Sequence, residues 1–215
     1  MTSITTNMTI VDNTSVVDNT TVVRNGDEPE SRINYVEQFW DIEEKNKQHT
    51  QLQRYVQKNS PECIKKIIAI GGGVRMGTTM ERIARFIFPS VKPRETGKRG
   101  SQTGYDHTIT NSLGIKKYIE QKSSGHWGES DYTWQHVEPK HKWDVLLLCG
   151  IDYFKLRFWF MDRTTLNQLI ESGKITNQGS KSGESSQGLW FEYSAVKEHL
   201  IEIQNDEHLL KLMNI

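Results

Sequence analysis

The chain has 215 residues, enough for one core of ordinary size. Its 27 Lys and Arg balance 27 Asp and Glu, so the total charge provides no attraction for nucleic acid and such a partner would need a local basic patch. The two cysteines, Cys63 and Cys149, sit in apolar runs and read as reduced core residues of a protein in a reducing compartment, which excludes a disulfide scaffold. No run approaches the roughly 20 apolar residues of a membrane helix, and no basic stretch followed by an apolar one opens the chain. The expectation is a soluble intracellular protein, cytoplasmic or nuclear, with no membrane partner.

Residues 1–29 are rich in Thr, Asn and Val, and "VDNTS" at Val11–Ser15 recurs as "VDNTT" at Val17–Thr21. Two copies are too few for a solenoid, so this stretch reads as a flexible N-terminal tail before a single domain over 30–215. Asn7, Asn13 and Asn19 each open an Asn-x-Ser/Thr sequon that stays unmodified without secretion. From Ser31 to Lys58 the apolar positions Tyr35, Phe39, Ile42, Leu52, Tyr55 and Val56 suggest one or two amphipathic helices. Ile64–Ile70 reads as a short strand or buried connector. A helix over Thr78–Phe88 places Met80, Ile83, Ala84 and Ile87 on one face, and Pro89 stops it.

The segment Gly71–Thr79 between them invites a nucleotide-binding reading. A P-loop, however, needs a Lys after its last glycine to reach the β- and γ-phosphates, and this chain has Thr78 there. The dinucleotide fingerprint fails on spacing and on its missing acid. The segment reads instead as a turn into a helix, with Thr78 or Thr79 as N-cap and Glu81 as an early acid.

Further on, "PSVKPRETGKRGSQTG" is a loop that concentrates Lys92, Arg94, Lys98 and Arg99. "YDHTIT", the turn-like "NSLG" and "IKKYIEQKSS" read as a β-hairpin. "DYTWQHV" reads as a helix or helical turn, and "WDVLLLCGID" as a central strand covered on both faces. "LRFWFMD" is another strand, "TTLNQLIESG" a helix, and a polar loop from Lys174 to Gly188 leads to a terminal helix. This order implies an α/β or α+β fold with a mixed sheet flanked by helices.

The hairpin carries the chemistry. With a period of two, Glu120 and Lys122 share a face with Tyr118, while Ile119 and Gln121 point away. Asp106 opens the partner strand, so two carboxylates and an ammonium converge at one end of a sheet. Neighbouring carboxylates repel, and a hard divalent cation between them removes the conflict. A bound metal lowers the pKa of a water, and a nearby Lys can orient that water or neutralise developing charge.

An Asp at a strand start, Glu-x-Lys on the next strand and a Glu on a preceding helix resemble the PD-(D/E)XK nuclease superfamily, which includes most type II restriction endonucleases. The likeness runs from Gly77 to Asp162, with Gly104-Tyr105 in place of the family's Pro. It implies a restriction-endonuclease-like core and a Mg²⁺-dependent endonuclease acting on double-stranded DNA as a homodimer. It implies that Asp106, Glu120 and Glu81 hold metal, that Lys122 acts on the attacking water, and that "WQH" lies on a helix with Gln135 supporting the site or touching DNA. Arg94, Lys98 and Arg99, in the basic loop beside Asp106, fit phosphate tracking.

Histidines 107, 126, 136 and 141 lack paired zinc-ligand spacing, and Trp127, Trp134, Trp143 and Trp159 read as packing residues. Two other readings stay open. One is a non-catalytic nucleic-acid-binding protein of the same fold; the other is a nucleotide-binding enzyme using Gly71–Thr79.

Overall fold

A computed structural model describes residues 29–95, 104–126, 132–177 and 188–215. The expected tail up to residue 28, Trp127, the basic-loop residues Lys98 and Arg99 and most of the polar loop before Gly188 lie outside the described residues. Residues Pro29–Gln57 form one helix, α1. The chain divides into two units inside that helix, between Glu43 and Glu44. In the first unit Tyr35, Phe39 and Ile42 are exposed. Both sheets and the core belong to the second unit, Glu44–Ile215.

Glu62–Ala69 is a helix, α2, and not the strand or connector expected from its isoleucines. Ile64, Ile67 and Ile68 fall at helical spacing and bury one face, so tertiary burial overrides the β-preference of branched side chains. Cys63 lies off that face and is exposed, contrary to its reading as a core residue, whereas Cys149 is buried. Helix α3, Gly73–Ile87, starts earlier than expected. Its N-cap is Gly72, at φ 63°, where a side chain would be strained. Thr78 and Thr79 are therefore inside the helix and do not cap it. Met80 and Ala84 are its buried residues, and it ends at Phe88, directly before Pro89.

The strands follow: β1 Lys92–Pro93, β2 His107–Thr110, β3 Lys116–Gly125, β4 Thr133–Val137, β5 Val145–Ile151 and β6 Leu156–Asp162. Helix α4, Arg163–Glu171, is capped by Asp162, whose side chain accepts from the Thr165 amide over 2.7 Å. β7 Thr176–Asn177, β8 Leu189–Glu192, the short helix α5 Tyr193–Val196, β9 Ile201–Glu202 and α6 Asp206–Leu212 complete the chain. The hairpin β2–β3 turns on Asn111, whose side-chain oxygen accepts from the amides of Leu113 and Ile115.

The main sheet has six strands in the order β1-β2-β3-β5-β6-β9. β3 and β5 run parallel while the other neighbours are antiparallel, so the sheet is mixed and the fold α/β. The parallel step needs a crossover. Here the crossover carries β4, which joins β8 and β7 in a separate three-stranded sheet. "DYTWQHV" is therefore a strand, and the helix expected over "WQH" is absent.

β5 is buried throughout, as its unbroken apolar run predicts. Val145, Leu147, Cys149 and Ile151 pack with residues of α2, α3 and α6, including Ile64, Met80 and Leu209. Leu146 and Leu148 face the other way, into a cluster with Trp134, Leu166 and Phe191. Helices thus cover one face of the main sheet, and α4 with the small sheet covers the other. Among the described residues, no helix is long and apolar enough to cross a membrane.

Candidate active site

The β2–β3 register places the site. His107 pairs with Ile119 and Thr108 with Tyr118, so Asp106, one residue before β2, lies beside Glu120. The Asp106 amide donates to the Ile119 carbonyl over 2.9 Å, and the Gln121 amide donates to Asp106 Oδ2 over 3.0 Å. Asp106 Oδ1 accepts from Arg94 Nη1 at 2.9 Å. On β3 the period of two puts Glu120 and Lys122 on one face, where Lys122 Nζ stands 2.7 Å from Glu120 Oε1. Glu81 approaches from the middle of α3, with Arg85 Nη1 3.8 Å from its Oε2.

These groups line one cleft of about 700 Å³. Glu81, Arg94, Asp106, Glu120, Lys122 and Gln135 all contribute to its wall. The hairpin, the α3 acid and the crossover strand, far apart in sequence, meet there. Lys98 and Arg99 lie outside the described residues.

The charge balance inside the cleft is acidic. Burial pushes the Glu81 carboxyl up to about 7, with the Asp106 charge adding to the rise and Arg94 and Arg85 opposing it. Burial also raises Glu120, again helped by Asp106 and resisted by Lys122. The Asp106 charge thus adds to the rise at both glutamates, and the cations Arg94, Arg85 and Lys122 do not reverse it.

Among the described residues, no group of three His, Cys, Asp or Glu side chains is arranged to hold an ion by itself. Mg²⁺ does not require one: it takes one or two carboxylates and completes its shell with water and phosphate oxygens. Asp106 and Glu120 fit that donor set, and their mutual repulsion is what a divalent cation relieves. Glu81 lines the same cleft from α3.

Sequence reasoning missed two features. Behind the site, Arg85 Nη1 lies 3.1 Å from His107 Nδ1, and His107 Nε2 lies 2.8 Å from Gln121 Oε1. Burial lowers the His107 pKa to about 4, so the ring is neutral near pH 7. Arg85 can only donate, which makes Nδ1 the acceptor and Nε2 the donor to Gln121. The available signal was Gln121, a polar residue at a core-facing position of a strand. The second feature is that His136 and His141 also line the cleft; no spacing rule pointed to them.

The glycine segment forms another part of the wall. Gly71, Gly72, Gly73 and Gly77 border the cleft, and a Cβ at any of them would meet nothing within 4 Å. Only Gly71 and Gly72 precede the helix; Gly73 to Thr79, expected as a turn, already form the first turns of α3.

No protein-family model matches this chain. No curated protein matches it either. A solved structure, a restriction endonuclease in complex with substrate DNA, is similar over 66% of this chain and 81% of that one, with 14% identity and a TM-score of 0.38.

Proposed function

We propose that this protein is a Mg²⁺-dependent endonuclease of the PD-(D/E)XK type, hydrolysing phosphodiester bonds of double-stranded DNA. The observation that carries the reading is the convergence of Asp106, Glu120 and Lys122 in one cleft, with Glu81 of α3 on the same wall. Asp106 and Glu120 would hold the metal, with Glu81 as a further ligand. Bound Mg²⁺ would supply a water of lowered pKa and stabilise charge on the phosphoryl oxygens.

The remaining work falls to the chain. The Gln121 amide and Arg94 fix the Asp106 carboxylate. Glu120 pairs with Lys122, which lines the cleft, and the ammonium would donate to the attacking water or to a phosphate oxygen. The water oxygen bonds to phosphorus in line with the departing O3′, which gains a proton, and a 5′-phosphate remains. Arg94, with Lys98 and Arg99 from the basic loop, would track the DNA backbone. Cutting both strands calls for two sites, hence a homodimer on symmetric DNA.

A second reading is a non-catalytic DNA-binding protein of the same fold. The direct Arg94–Asp106 and Lys122–Glu120 pairs favour it, since they already partner two of the acids. Incubation of mixed-sequence DNA with Mg²⁺ separates the two. Metal-dependent cleavage lost in Lys122→Ala supports the nuclease, whereas metal-independent binding without cleavage supports the second reading.

A further inference from the structure

β4 departs from regular alternation at one point. Trp134 pairs with Phe191 and Val137 with Leu189. Three steps along β4 therefore oppose two along β8, which is a β-bulge with one extra residue. Trp134 and Val137 are both buried in the same apolar cluster, so the two residues between them share the opposite side. Those residues, Gln135 and His136, both line the cleft that holds Asp106, Glu120 and Lys122.

The bulge is built into the backbone. His136 sits at φ 57°, in the left-handed region that few side-chain-bearing residues occupy. Gly188, which leads into β8, packs directly against it. A Cβ at Gly188 would stand 3.0 Å from the His136 main chain and 2.9 Å from Glu138 Oε1. Bulges of this kind re-aim side chains beside active sites. An unbulged strand would carry one of these two side chains away from the cleft.

The chemistry of the pair suits a base edge better than a phosphate. Gln135 has no charge to neutralise an anion, but its amide offers a donor and an acceptor side by side, the complement of adenine N6 and N7. His136 adds a ring donor or acceptor next to it. We infer that Gln135 and His136 on the β4 bulge read base-pair edges of the bound duplex, with Gln135 selecting adenine. This rests on the nuclease reading and adds the source of its sequence preference.

Selection of bound sequences from a random duplex pool, using Lys122→Ala protein in Mg²⁺ so that bound DNA is not cut, tests this. The expected pool has a fixed A·T pair at one position. Adding Gln135→Ala should cut discrimination at that position by about 10-fold or more. Adding Gln135→Glu should shift it toward C·G, because a carboxylate accepts from cytosine N4. Circular dichroism matching that of the wild type shows that each variant is folded. An unchanged preferred sequence, or a uniform loss of affinity across all sequences, overturns the base-reading role. The nuclease reading then stands or falls on the cleavage assay with wild-type protein. Folded wild-type protein that neither binds nor cuts DNA overturns both.

Discussion

The main-chain amide of Gln121 donates to Asp106 Oδ2 over 3.0 Å, tying one acid of the cleft to the strand that carries the other acid and the lysine. Asp106 cannot drift from Glu120 without breaking the hairpin register. This fixed spacing distinguishes the site from acids scattered along an exposed strand.

Lys122→Ala removes the ammonium that stands 2.7 Å from Glu120 Oε1. If Lys122 acts on the attacking water, Mg²⁺-dependent nicking of supercoiled plasmid should slow by about 10²- to 10⁴-fold. Circular dichroism should be unchanged. Loss of folding in place of activity would make the pair structural.

Glu81 makes a prediction about pH in the metal-free protein. Its folded pKa of about 7 lies above the ordinary value of 4.5, because burial disfavours the charge. The folded state holds a proton that the unfolded chain has lost, so stability should decline as pH rises from about 4.5 to about 7. In EDTA, Glu81→Gln should therefore melt above the wild type at pH 8, and the gap should close below pH 5. A lower Tm for Glu81→Gln at pH 8 would show that its ion pair with Arg85 outweighs its burial.

The Arg157–Glu202 pair links β6 to β9, with Arg157 Nε donating to Glu202 Oε1 over 3.0 Å. The Arg157 hydrogen bond holds the Glu202 carboxyl below its ordinary value of 4.5. Its stabilisation is thus present above the unfolded pKa and is lost as pH falls through the folded one. After solvent screening it is worth roughly 0.5–1 kcal/mol. Denaturant melts of Glu202→Gln should show that deficit at pH 7, and the deficit should shrink as pH falls through the folded pKa of Glu202.

His107→Leu keeps the bulk of a buried ring but leaves Arg85 and Gln121 Oε1 without the partners they now have on His107. The expected cost is about 1–3 kcal/mol for the stranded polar groups, measured by urea unfolding. A neutral result would mean that water replaces the ring.

The parts of the fold that the sequence made legible are those where local pattern and tertiary burial agree. The Asn111 turn between two alternating runs marked the β2–β3 hairpin, and alternation along β3 placed Glu120 and Lys122 together. The unbroken apolar run of β5 announced a strand covered on both faces. Where pattern and burial disagree, the reading failed. In α2 the branched isoleucines suggested a strand, yet their spacing of three and four residues serves a helix that buries Ile64, Ile67 and Ile68. In β4 the apolar pair Trp134 and Val137, three apart, mimics helical spacing, and only the bulge opposite Phe191 and Leu189 explains it. The same bulge brings His136 to the cleft, a placement that no spacing along the chain encodes. His107 was hidden for another reason: its partners Arg85 and Gln121 come from a helix and a neighbouring strand.

The most direct test of the central claim is cleavage of mixed-sequence plasmid and phage DNA by wild-type, Glu120→Ala and Lys122→Ala proteins, each with Mg²⁺ and with EDTA. The account predicts discrete fragments from the wild type in Mg²⁺, none in EDTA, and none from either folded variant. Cleavage that persists in EDTA, or in both variants, would contradict the assignment of this cleft as the catalytic centre.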